Sequence, residues 1–196
     1  MQNRNCLDGI CFIWNKMDAR GDLMVNGKYR YDALGKKVRF HQMGSYQNKT
    51  ISTDLLMLFN EKVMYKINWS RLSCKKMGLR VPFQPLEVPR DAFLAGQTIL
   101  GSASAFGQGL LVNTWMGEDR EFNAKYMSVF TGIGCLPVTS MYHTDSTGWV
   151  MLSYYNIMLG IDNPHFFHPP IFCQNAVLEG TTDYFEALRL EDELED

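Results

Sequence analysis

The chain has 196 residues, of which 46% are hydrophobic, 13% aromatic and 20% charged, a make-up that fits one globular domain and excludes a disordered polymer. No apolar run reaches the roughly 18 residues of a membrane-spanning helix. The net charge of −2 hides an acidic tail of eight acidic residues and one Arg from 179 on, which leaves 18 basic against 13 acidic side chains in residues 1–178. A mildly basic body suits anionic partners, although a solvated surface with an acidic tail is the plainer reading of the charge, and no nucleic-acid partner is expected.

In chain order, the opening MQNRNCLDGI has no apolar leader of the signal-peptide kind. Period-two alternation begins with KVRFHQM (37–43) and continues through LLMLF (55–59) and VMYKIN (63–68), which the polar link Asn60-Glu61-Lys62 joins into a hairpin. VPFQPLEVPRDAF (81–93), with three prolines, is expected to cross between sheets as extended chain. GSASAFGQG (101–109) lacks the GK[ST] ending of a phosphate loop and reads as a turn. Alternation resumes in LLVNTWM (110–116), KYMSVFT (125–131), VTSMYHT (138–144) and WVMLSYY (149–155), with turn signals at Gly107, Gly109, Gly117 and Asp145-Ser146-Thr147-Gly148. Helix is scarce, and the best candidate is DYFEALRLEDELED (183–196), where Ala187, Leu190 and Leu194 share a face. The expectation is a mainly β, antiparallel domain over 1–178 followed by an acidic, partly helical tail over 179–196.

Catalytic chemistry finds little support. There is no GxSxG elbow, no HExxH and no CxxC, and no carboxylate is framed by apolar residues as a general acid would be. GIDNPHFFHPPIFC (160–173) gathers Asp162, His165, His168 and Cys173, residue types that bind transition metals. Pro164, Pro169 and Pro170 deny the two His a shared helical face, so an ordered Pro-rich connection is the better reading. No metal set can be named, and the expectation is a non-enzyme with no required cofactor. The five cysteines, Cys6, Cys11, Cys74, Cys135 and Cys173, are spread over the whole chain, as long-range disulfides are. The sequons at Asn48 and Asn68 also point to a secretory route.

Seven phrases in fixed order carry a resemblance: GKYRYDALGKKVRF (27–40), LLMLFNEKVMYKI (55–67), SCKKMGL (73–79), LEVPRDAFLAGQTILG (86–101), LVNTWMG (111–117), GCLPVTSMY (134–142) and GIDNPHFFHPPIFC (160–173). Together, over about residues 11 to 175, the chain resembles the ependymin-related proteins. The resemblance implies two stacked, curved antiparallel sheets forming a half-barrel with a deep hydrophobic pocket, similar to the LolA and LppX lipoprotein carriers. It implies a secreted or lysosomal glycoprotein and homodimer that binds lipids, anionic lipids or gangliosides above all, at a membrane surface or free of it. The alternative it carries is a calcium-binding adhesion or matrix glycoprotein of the extracellular space. It also implies that Cys74 pairs with Cys173, and that Cys135 pairs with an N-terminal Cys, with Cys6 favoured over Cys11. A further Cys pair of vertebrate members is missing here.

Strand alternation, not a family motif, supplies the candidate pocket residues: Val63, Tyr65 and Ile67 on one hairpin, and Val112, Met116, Tyr126, Phe130, Val150, Leu152 and Tyr154 beyond it. A one-residue error in face would invert each strand's contribution. Trp115 and Trp149 are assigned to the pocket rim or a dimer contact.

Overall fold

The structure is a computed structural model whose described residues are 9–18, 23–46, 49–119, 124–144, 148–161 and 163–182, with the side chains of the first strand and of a few strand ends outside that description. The strands are β1 (Gly9–Asp18), β2 (Leu23–Asp32), β3 (Lys37–Tyr46), β4 (Lys49–Leu58), β5 (Val63–Asn68), β6 (Ser73–Leu79), β7 (Phe93–Gly101), β8 (Gly109–Asp119), β9 (Ala124–Thr131), β10 (Pro137–Thr144), β11 (Gly148–Leu159) and β12 (Leu178–Thr182). Their order, β12-β6-β5-β4-β3-β2-β1-β11-β10-β9-β8-β7, joins two open sheets into one ladder through β1. Every pairing is antiparallel except β12 with β6. The mainly β, antiparallel architecture expected from the sequence is what the chain adopts, with its sheets open.

Curvature is written into β2 and β3. A Cβ on Gly27 would stand 2.3 Å from the His41 carbonyl oxygen, and one on Gly44 would stand 2.2 Å from that of Met24. Only glycine permits such close approach of backbone on the inside of a bend. The sheet therefore has an inner face, over which residues 80–92 run as a strap from the end of β6 to the start of β7. The strap's Val81, Phe83 and Leu86 pack on Tyr31, Val38, Phe40, Leu55, Met57, Met64 and Leu79, a cluster that Leu152, Tyr154 and Ile157 of β11 also join. Farther along, Val88 and Ala92 pack on Trp115, Tyr126 and Phe130. The Pro-rich segment is thus an irregular crossing, as its prolines require.

β12 places the expected 178/179 boundary inside a strand, because Leu178–Thr182 adds to the edge of β6. The helix read over 183–196 lies outside the described residues.

Candidate functional site

Register settles which side chains share the inner face. Tyr142 of β10 faces Tyr126 and Val150, and Ser140 faces Ser128 and Leu152, so Tyr126, Phe130, Val150, Leu152 and Tyr154 all lie on the strap side. Val63, Tyr65 and Ile67 do not. They belong to the opposite face, where Tyr65 and Ile67 are buried under Phe167 and Cys173 and Val63 packs beside them. On that hairpin the inner-face residues are Leu55, Met57, Met64 and Lys66, because Met57 pairs with Met64 and Leu55 with Lys66. Val112 and Met116 are likewise outward, since Asn113 and Trp115 are the β8 residues that face Phe130 and Ser128. Trp115 is a core residue under the strap, not a rim residue, while Trp149 is exposed on the outer face beside His143, 5.0 Å between ring centroids.

The inner face is graded. Beneath the strap, Phe83 stacks on Tyr31 at 5.3 Å and meets Phe59 edge-on at 5.2 Å, and the Tyr31 hydroxyl accepts the Leu86 amide at 3.1 Å. Across β9, β10 and β11 runs a strip of hydroxyls: Ser128 Oγ donates to Ser140 Oγ at 3.2 Å, and Tyr154 Oη donates to the same atom at 3.3 Å. Toward the β7 edge the apolar surface is left open, with Leu94, Ile99, Leu111 and Tyr142 exposed. At the far side, Lys66 and Lys75 stand directly opposite each other on β5 and β6.

The outer face is closed over β3–β6 by the segment that raised the metal question. Asn163 caps a 3₁₀ turn, Pro164–Phe167, by accepting the His165 amide at 2.9 Å, and a second turn, Ile171–Cys173, carries Cys173 into a disulfide with Cys74. Beneath it lies a buried ion pair. Arg39 Nε and Nη2 donate to the two Asp54 oxygens at 2.9 and 2.6 Å, Trp69 Nε1 donates to Asp54 Oδ2 at 2.7 Å, and Arg39 Nη1 donates to the Phe166 carbonyl at 2.9 Å. Arg30 lies over the Phe166 ring at 3.6 Å. The Arg39 guanidinium aimed at Asp54 thus also ties the Pro-rich cap to the sheet. Pattern reading missed this network, although a charged residue inside each of the apolar runs VRF and TDLLML was its available signal.

His165 and His168 are exposed on this cap, their rings 5.8 Å apart. Among the described residues no three His, Cys, Asp or Glu side chains gather to hold a metal ion. Cys135 is disulfide-bonded, and the side chains of both Cys6 and Cys11 lie outside the described residues. Of the two sequons, Asn48 lies outside the described residues, whereas Asn68 sits exposed at the end of β5, its Oδ1 accepting from Ser70 Oγ and the Arg71 amide.

A family model described as Ependymin matches residues 47–173. Ependymin-2 of Salmo salar is 37% identical over 163 residues, which cover 82% of this chain and 73% of that protein. Among solved structures, an uncharacterized conserved protein from Thermus thermophilus superposes with a TM-score of 0.58 at 9% identity, covering 88% of this chain and 90% of that one. A LolA superfamily protein from Nitrosomonas europaea aligns with a TM-score of 0.36 at 11% identity, covering 85% and 92%.

Proposed function

The chain belongs to the ependymin family, and from that premise we propose that it binds lipid, without catalysis, between the strap and the inner face of its sheet. The observation that carries the reading is the inner face itself, apolar beneath the strap and covered only in part, so that Leu94, Ile99, Leu111 and Tyr142 remain exposed beside the buried Tyr126 and Phe130. Apolar surface of this kind gains about 0.8 kcal/mol for each lipid CH₂ it takes from water.

The same reading carries a secreted or lysosomal setting with a glycan at Asn68, and a homodimer. In support of the latter, the outer face bears methionines in register across β8, β9, β10 and β11, from Met116 through Met127 and Met141 to Met151. Adaptable thioethers of this kind suit protein contacts.

The test is lipid capture. The secreted protein is incubated with mixed liposomes, reisolated, and its lipid identified by mass spectrometry. Stoichiometric lipid enriched in anionic headgroups is expected, reduced when Leu152→Lys places a charge on the inner face. A protein that emerges empty while intact refutes the reading.

A further inference from the structure

One rim of the sheet has a composition that neither the strap nor the core explains. The turns 33–36, 59–62, 102–108 and 132–136 and the end of β11 all fall at this rim, by the register of their strands. The tips of three of these connections each present a bare hydrophobe: Leu34 is 80% and Ile133 86% exposed, and Phe106 is wholly exposed. Leu159, at the end of β11, joins them.

The β7–β8 hairpin goes farthest. No Asp, Glu, Lys or Arg occurs from Ala92 to Gly117. β9 pairs with β8 only from Val112 on and the Gly132 amide still donates to the Leu111 carbonyl at 2.7 Å, so the pairs Leu100 with Leu110 and Gly101 with Gly109, with the turn 102–108, form a free two-stranded finger. Ile99 and Leu111 point to its inner side and Leu100 and Leu110 to its outer side, and all four are exposed. A rigid partner with one flat surface would cover one side of the finger; a fluid apolar medium covers both. On the other half of the rim Lys36, Lys62 and Arg80 are exposed against Glu61 and the half-buried Asp32, and β12 ends beside Arg80 at Thr182.

From this arrangement we infer that the rim docks on an anionic lipid bilayer, with the Phe106 finger inserted at the level of the headgroups and upper acyl chains and the basic turns lying on the headgroups. Two strand residues at about 3.3 Å each give the finger a reach of about 7 Å past its last contact with the neighbouring turn, before the turn 102–108 is added, which lies within the depth of interfacial anchors. Deeper insertion is ruled out by β7 being the sheet edge, whose unpaired backbone groups require water. The tip is prepared for shallow entry, since the Ser102 amide donates to the Gln108 carbonyl at 3.0 Å and the Gln108 amide to the Ala105 carbonyl at 3.3 Å. Because Ile99 and Leu111 continue into the open part of the inner face, the finger offers lipid a path from bilayer to trough. The inference rests on the lipid reading for that path, and on the rim alone for docking.

The experiment is co-sedimentation of the full chain with phosphatidylcholine vesicles, with and without phosphatidylserine. Wild type binds the anionic vesicles. Phe106→Asp weakens partitioning by about tenfold or more, and Lys36→Glu with Lys62→Glu weakens it on anionic vesicles alone. Phe106→Trp, compared with wild type, gains emission that shifts to the blue on vesicle addition and is quenched more by lipids brominated high on the acyl chain than at its end. Unchanged binding by Phe106→Asp, or unmoved emission from Phe106→Trp, overturns the inference. So does a Phe106→Asp variant that loses a dimer by light scattering while binding vesicles as before, since the finger would then meet a second copy. Uptake of lipid delivered by cyclodextrin is expected to survive Phe106→Asp; if wild type takes up none while still docking, the trough reading falls and the docking stands.

Discussion

Replacement of Asp54 by Ala removes the acceptor of a buried ion pair and should be among the costliest single changes outside the apolar core. Arg39 and Asp54 are 8% and 3% exposed, and Asp54 receives two guanidinium donors and the Trp69 indole while Arg39 also holds the Phe166 carbonyl. With the carboxylate gone, a guanidinium is stranded in the interior, a loss of about 3–5 kcal/mol. For a chain of this size each kcal/mol lowers Tm by about 2–4 °C, so a fall of about 6–20 °C is expected. The paired change Arg39→Met with Asp54→Leu removes both charges, and its Tm should lie between the single variant and wild type. Full recovery is not expected, because the Phe166 carbonyl then loses its Arg39 donor, at about 1–3 kcal/mol where it stays buried, whereas the half-exposed Trp69 can turn its N–H to water. Thermal melts followed by circular dichroism read the global effect, and hydrogen exchange over residues 164–173 reads the cap. A Tm within about 2 °C of wild type for Asp54→Ala, well below that loss, or a paired variant less stable than either single one, would refute the claim that the pair fastens the cap.

Cys74 and Cys173 close a loop of 99 residues, for which the chain-entropy relation gives about 4.7 kcal/mol, so Cys74→Ser with Cys173→Ser should lose about 2–5 kcal/mol in urea melts. A loss under about 1 kcal/mol would mean that the noncovalent cap already does the work of the disulfide. A Cβ at Gly117 would stand 2.3 Å from the Tyr126 hydroxyl oxygen, so Gly117→Val should cost about 1–3 kcal/mol by overpacking. An unchanged melt would show the Tyr126 ring free to swing aside. Asn68→Gln should remove one glycan from the secreted protein, read as a mass shift. An unaltered mass would remove Asn68 from the glycan sites.

Local pattern sufficed where a strand is buried on both faces or bounded by clear turns. LLMLF and VMYKIN form β4 and β5 around a turn at 59–62, and KVRFHQM, LLVNTWM, KYMSVFT, VTSMYHT and WVMLSYY fall on β3, β8, β9, β10 and β11. β7 is different: FLAGQTILG is exposed at every position, so no buried face imprints an alternation on it. β12 is held by parallel pairing to a strand some hundred residues away in sequence, and no local signal reports such a partner. β2 carries Asn26 and Gly27 at its centre, which read as a turn, yet Gly27 is where the sheet must bend.

The site residues were less legible than the strands for a reason of symmetry. Alternation states that Tyr65 and Met64 face opposite ways without stating which way is in. In a chain whose sheet is covered on both sides, by the strap over one face and the Pro-rich cap over the other, both registers are apolar. The β4–β5 hairpin shows this: Leu55, Met57 and Met64 are fully buried beneath the strap, and Leu56 is equally buried beneath the cap. The deciding interaction is nonlocal, namely which of two crossing segments reaches which face. The disulfide from Cys173 to Cys74 of β6 fixes that choice for the cap, and the continuity of the strap from β6 to β7 leaves it the other face. With β3–β6 closed on both sides, open apolar surface is concentrated toward β7 and β8, where the inner face, the uncharged finger and the exposed rim meet.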